Sequence, residues 1–437
     1  MLLMFVPVLS WAHHAPCQWR RVIRSRQIIE LSHGELHGRR HDGFGESISI
    51  SGSTAVVGAM GLDRAFVYQL VKGIWIQEQV LRPEGPSESF GSEVAISGTT
   101  IVVTDPLIYH MNGAAFVFRR DGNRWIQVKV LRPPSGGWQG HFGGLSGIGL
   151  ALYRNTVYVT GGEAVGNHLR YVRVIYVYQE RGGRWTRTVI DARDLPKGDV
   201  LGPAIAVLGP RSLADGSVLA SVRLKHAPWN LIRHAGQINI LRLVHQKWVV
   251  SARLSANRPQ KGGLLGYPLA ASGNEIVATA RDGIYVYRKK AGQWYHFWKI
   301  KPALHQGIFG RDNLLGSPVT VAVPWVAYVQ PGTVRRNQKY YLGVVHLFRQ
   351  QSRHLVAEAK LLPPPYTRQQ RIHFSPLEGS VSLSGNWLAV GAENVQTTEG
   401  LVYFYHLNPV ISCDQGSGAR LTLLGRKNRA RARAFTH

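Results

Sequence analysis

The chain is short of acid. Its 437 residues carry 52 lysines and arginines against 25 aspartates and glutamates, a formal charge of +27. Only 13 of those cations are lysine, which leaves 39 arginines, the side chain whose planar fork matches phosphate, sulfate and carboxylate. Such a field favours anionic partners, and it equally suits an exported protein with a habitat bias, because net charge governs attraction and not fold. Long helical patterns are missing. Beyond the N-terminal dozen residues no run approaches the roughly 18 apolar residues of a membrane span. The chain has no G-x-S-x-G, no Walker loop, no H-E-x-x-H and no C-x-x-C, so no common hydrolase, nucleotide, zinc-protease or dithiol motif is written in it. His33, His37 and His41 are spaced by four, but Gly34 and Gly38 between them read as loop, and no metal or cofactor is expected.

What is present is repetition. Phe44 to Leu81 reads as four short strands: Ile48 to Ile50, then Ser51-Gly52 as a tight turn, Ala55 to Gly58, Ala65 to Tyr68, and a last strand marked by Trp75 and Leu81. The first-strand pattern FGESISISG recurs as FGSEVAISG at Phe90, SGIGLALYR at Ser146, LGPAIAVLG at Leu201, LGYPLAASG at Leu265, LGSPVTVAV at Leu315 and LEGSVSLSG at Leu377. Second strands follow as AVVGA, IVVTD, VYVTG, VLASV, IVATA, VAYV and LAVGA. The spacings of 46, 56, 55, 64, 50 and 62 residues are those of propeller blades. Tyr68–Trp75, Phe118–Trp125, Tyr178–Trp185, Leu241–Trp248 and Tyr287–Trp294 are each seven apart, with Phe348–Leu355 as an apolar stand-in. A constant offset predicts a fixed hairpin with a structural tryptophan.

The seventh copy ends at its third strand, Gly400 to Leu407, while the N-terminus carries a strand without partners. The expectation is an all-β, seven-bladed β-propeller of four-stranded antiparallel blades, its ring closed by that N-terminal strand, because closure removes open sheet edges. Gln18-Trp19 with Val22-Ile23 is the first candidate for closure and Ile28 to Leu31 the second. Cys17 and Cys413 flank the break, so either a disulfide ties the ends or two thiols sit in flexible ends. Residues 1–15 read as a signal peptide with small residues at Ala12 and Ala15, a buried N-terminal strand being the alternative. On the first reading the protein is secreted, periplasmic or on the cell surface. Residues 16–413 form the propeller, and 414–437 a basic tail, either simply solvated or touching nucleic acid or anionic lipid.

The FG, V-A-I-S-G, V-V-G-A, aromatic V-Y and spaced-Trp elements resemble the FG-GAP repeat family, bacterial relatives of the integrin alpha-chain propeller. The resemblance is close in copies one, two and seven and degenerate in three to six. It implies a secreted or surface-exposed propeller that binds macromolecules and carries no chemistry. Some blades of the integrin branch bind calcium between the first two strands through D-x-[DN]-x-[DN]-G. Here those positions read Ser51-Gly52-Ser53-Thr54, Ser97-Gly98-Thr99-Thr100 and Ser384-Gly385-Asn386, so calcium is not expected.

In an up-down blade the one-to-two and three-to-four turns share one rim, and the two-to-three connections share the other with the blade linkers. Variation falls on the second rim, with long basic and aromatic loops in copies three, four and six. They supply Arg170 and Tyr171; Arg223, Lys225, His226, Trp229 and Arg233; and Arg335, Arg336, Lys339 and Tyr340, to which one linker adds Tyr366 and Arg368. Cations interleaved with aromatics suit an acidic protein or an anionic glycan. A hydrolase or lyase acting on an anionic polysaccharide in the central funnel is the alternative, and nucleic-acid binding a third, less favoured reading.

Overall fold

The apolar runs form strands and the Ser-Gly pairs turn them. In blade 1 the strands are Phe44–Ser51, Thr54–Ala59, Arg64–Val71 and Ile74–Leu81. The second of these is buried at every position, because in a propeller both sheet faces pack on neighbouring blades. The structure, a computed structural model, describes residues 27–30, 42–134, 149–165, 170–191, 195, 201–209, 212–217, 222–224, 227–232, 234–301, 306–307, 310–311, 316–336, 339–352, 354–363, 372–374, 380–394 and 399–407. The chain separates into a unit through His406 and a short one from Leu407. The first contains seven four-stranded antiparallel blades in a ring. Cys17, Cys413, residues 1–15, His33, His37, His41 and the tail from 414 lie outside the described residues.

Blades 2, 3 and 5 follow the expected order, starting at Val94–Ser97, Leu150–Tyr153 and Leu269–Ser272. Blade 4 departs from it. Its second strand is Ser212–Ser217, not the Val-Leu-Ala-Ser-Val segment after it. Asp215 and Gly216 make that strand look like a turn, yet the Asp215 carboxylate is fully buried, accepting from the Gly202 amide at 2.7 Å and from Asn239 Nδ2 at 3.4 Å. Blades 6 and 7 are joined through Ile372–Phe374, parallel to one and antiparallel to the other.

The ring closes on the second candidate segment. Gln27–Glu30 pairs antiparallel with Glu399–His406, placing Ile28 opposite Tyr403 and Ile29 opposite Val402. Gln27 explains the register. Its amide spans the main chain of Trp75, donating to the carbonyl and accepting from the amide, each at 2.7 Å. Gln79, at the matching place in blade 1, makes the same pair with Trp125 in blade 2 at 2.8 Å. Trp19 and Val22-Ile23 lie outside the described residues.

Neighbouring inner strands are joined by serines rather than by a ladder. Ser47, Ser49 and Ser51 accept from the amides of Val94, Ile96 and Gly98 at 3.0, 3.2 and 3.2 Å. Ser382 and Ser384 accept from Ile50 and Gly52 across the closure at 3.0 and 3.1 Å. The opposite face of the same strand, Ile48 and Ile50, packs into the core shared with blade 7. The tryptophans also lie between blades: Trp75 stacks on Phe404 at 4.9 Å and meets Trp387 edge-on at 5.5 Å.

The repeat's glycines mark the closest approach. A Cβ on Gly58 would lie 2.1 Å from the Gly91 carbonyl of the next blade, and one on Gly391 would lie 2.0 Å from that of Gly45. Gly45 and Gly91 themselves sit at φ +88° and +102°, a region other residues avoid. Gly58→Ala is therefore expected to destabilise by ~3 kcal/mol, as overpacking against backbone does, whereas Gly209→Ala, with open space around it, stays near neutral. Gln27→Ala strands two main-chain groups of Trp75 and is expected to lose ~2 kcal/mol. Denaturant titrations of the three variants check both statements.

Candidate functional site

The rim carrying the two-to-three connections and the blade linkers differs from blade to blade, and each difference has a local cause. In blade 1 the connection is a single turn, Met60–Leu62, with Leu62 buried and Met60 exposed. In blade 2 it is built on Asp105, a fully buried carboxylate that accepts from the amides of Glu88, Ser89 and Ile108 and from the Ser87 and Ser89 hydroxyls, at 2.8 to 3.1 Å. These donors outweigh the desolvation of the charge and tie the connection to the preceding linker. Tyr109, His110 and Met111 then run left-handed, at φ 57°, 57° and 67°. L-residues avoid this region by about 1–2 kcal/mol each. Buried Ile108 anchors the turn, and Arg132, from the next linker, lies 4.0 Å over the Tyr109 ring and donates to its hydroxyl.

Blade 5 has a tight connection through Asp282. Tyr285 donates to that carboxylate at 3.1 Å, and Lys299 pairs with it from the outer strand. His296 sits against Tyr285 and Tyr287 at 5.6 and 5.8 Å. Its Nδ1 lies 2.9 Å from Asn257 Nδ2; with the amide donating, the imidazole proton is on Nε2, which is buried without an acceptor among the described residues. Burial, then the Lys299 charge, lowers the His296 pKa. Burial likewise raises those of Tyr285 and Tyr287.

The expected basic loops of blades 3, 4 and 6 are largely β-hairpin, since each segment pairs with itself. In blade 3, Thr156–Val165 and Arg170–Arg181 run on past the sheet, with Arg170 opposite Val165 and Tyr171 opposite Ala164. Blade 4 inserts a separate hairpin, Val222–Leu224 with Ala227–Ile232, which carries Arg223 opposite Leu231 and contains Trp229. In blade 6, Trp325–Arg336 and Lys339–Gln350 set Arg335 opposite Tyr340 and Arg336 opposite Lys339. Lys225, His226, Arg233, Tyr366 and Arg368 lie outside the described residues. The hairpins thus share one rim, two on adjacent blades and the third beyond blade 5. Sequence reading missed the buried Asp105 and the Asp282–Tyr285–Lys299–His296 group. Their residue types are visible, but nothing in their spacing links Asn257 to His296.

Among the described residues no cluster of three or more histidine, cysteine, aspartate or glutamate side chains could hold a metal ion, and no helix is long and apolar enough to cross a membrane.

The FG-GAP repeat family model matches residues 37–68, which overlap blade 1. No curated protein sequence matches the chain. Among solved structures, Saccharomyces cerevisiae Sqt1 is similar over 89% of this chain and 100% of its own, at 8% identity and TM-score 0.44. A putative 6-phosphogluconolactonase from Bacteroides fragilis is similar over 72% and 83%, at 11% and 0.39. An Aleuria aurantia lectin mutant in complex with Fucalpha1-6GlcNAc is similar over 74% and 97%, at 13% and 0.41.

The lowered His296 pKa fixes a sign for pH dependence. The unfolded chain takes up a proton below the ordinary value of 6.5, while the folded chain resists until lower pH. Stability is therefore expected to fall as pH drops below 6.5. Urea midpoints measured across this range should drop for the native protein, and His296→Gln should flatten that limb.

Proposed function

We propose that this chain, an FG-GAP propeller by its repeat and its ring, is an exported binding protein without chemistry of its own, holding an acidic protein or glycan on its variable rim. The observation that carries this reading is the asymmetry between the rims. One is built from short, near-identical turns; the other grows hairpins in blades 3, 4 and 6, whose chain positions include Arg223, Arg335, Arg336 and Lys339. Rigid scaffolds commonly place recognition in such connections. Some strand cations have carboxylate partners, as in Arg119–Glu180 at 2.8 Å, Arg288–Glu275 at 2.7 Å and Arg349–Glu358 at 2.6 Å. Proteins of this repeat type are usually non-enzymatic, in keeping with this reading.

The test is retention on immobilised heparin followed by a search for reducing ends. The native chain is expected to bind with a steep salt dependence and release nothing. Changing Arg223, Arg335, Arg336 and Lys339 together to Gln should weaken binding at least ~10-fold, or about 1.4 kcal/mol. Product release would overturn the reading in favour of a hydrolase or lyase.

A further inference from the structure

A second set of cations on the same rim shares a local design. Arg82 and Lys301 each follow the last buried residue of an outer strand, Leu81 and Ile300, and Arg132 follows Leu131 in the same way. Each is followed by proline in the sequence, as is Arg258, a few residues into the blade 4 linker. The residue before a proline is held to extended backbone, so these cations start from a restricted main chain as the linker leaves the sheet. All four are exposed, and among the described residues none pairs with a carboxylate, although Glu84 and Glu88 stand in the linker after Arg82. In a ring of equivalent blades, equivalent positions fall on one circle, so Arg82, Arg132 and Lys301 stand along the outer edge of the rim, and Arg258 stands farther along its own linker on the same rim.

Resting on the anionic-partner reading above, we propose that Arg82, Arg132, Arg258 and Lys301 form a polyanion-binding edge for a sulfated or carboxylated polysaccharide. Sites distributed over blades 1, 2, 4 and 5 suit a long chain with repeating charge better than a single folded epitope. The Arg132–Tyr109 contact bears on the chemistry as well. That ring has a guanidinium at 4.0 Å over one face and packs against the core shared by blades 1 and 2, so it is a poor platform for nucleobase stacking. The guanidinium is held in place and keeps N–H donors for a sulfate or carboxylate.

The experiment measures binding of a fluorescent heparin dodecasaccharide by anisotropy across a salt series. An edge variant carries Arg82→Gln, Arg132→Gln, Arg258→Gln and Lys301→Gln. A charge-matched control on the opposite rim carries Lys72→Gln, Arg124→Gln, Arg184→Gln and Lys247→Gln, all exposed positions. The hairpin variant described above forms the third arm, and thermal melts verify that each folds. The edge variant is expected to weaken binding at least ~10-fold with a shallower salt slope, and the control less than ~3-fold. Equal loss in edge and control variants would overturn the proposal, since binding would then follow net charge alone. An unaffected edge variant with a weakened hairpin variant would overturn the edge while sparing the reading it rests on. No heparin binding at all would overturn both. Tighter edge-dependent binding of single-stranded DNA or of phosphatidylserine vesicles would overturn the choice of polysaccharide.

Discussion

Everything in this ring depends on how closely one blade's backbone can approach the next. The carbonyls of Gly45 and Gly91 sit where a side chain on Gly391 or Gly58 would be, at 2.0 and 2.1 Å from an added Cβ. Gly400 admits the Phe44 carbonyl at 2.0 Å in the same way. These contacts set the spacing of the inner strands, and the serine bonds follow from it. Only at that separation can a side chain as short as serine reach the neighbouring amide at 3.0 to 3.2 Å. The signature pairing of an F-G at one strand with a G-A at another is thus one contact, written in two places because its halves belong to neighbouring blades.

Where the signature decays, other groups hold the same place. Thr104 and Thr279 occupy the position of Gly58 in their blades; Thr104 accepts from the Glu93 amide at 3.1 Å and Thr279 donates to the Pro268 carbonyl at 3.2 Å. At the junction of blades 4 and 5, Gly236 at φ +78° lets Leu265 in, and the two form an isolated bridge. The motif's glycine is thus replaced by a threonine bonded within its own blade in blades 2 and 5, while a close approach between blades recurs at Gly236. The other rim feature under strain, the left-handed turn at Tyr109–Met111, is held by Asp105 beneath and Arg132 above.

The fold was legible because its determinants are local and recur. An aromatic third strand seven residues before a tryptophan, and a Ser-Gly pair between apolar runs, fix hairpins by short-range geometry. The misreadings have the same origin. Ser212–Ser217 was hidden because its buried aspartate accepts from Gly202 and Asn239, partners that local sequence does not show. Sequence offered two closing segments, one at Trp19 and one at Ile28 to Leu31; the structure closes on the second, and the role of Gln27 there is visible only once Gln79 is seen gripping Trp125.

The sequence by itself determined the number of blades, their strand order and the division into a uniform and a variable rim, since each follows from periodic hydrophobicity and fixed turn lengths. It also marked the basic segments of copies three, four and six. Only the tertiary structure decided that those segments are hairpins, which strand closes the ring, and that His296 faces Asn257 while Arg132 covers Tyr109. Those relations join residues of different strands and blades, and side-chain contact across a ring is set by backbone approach, which no local pattern records.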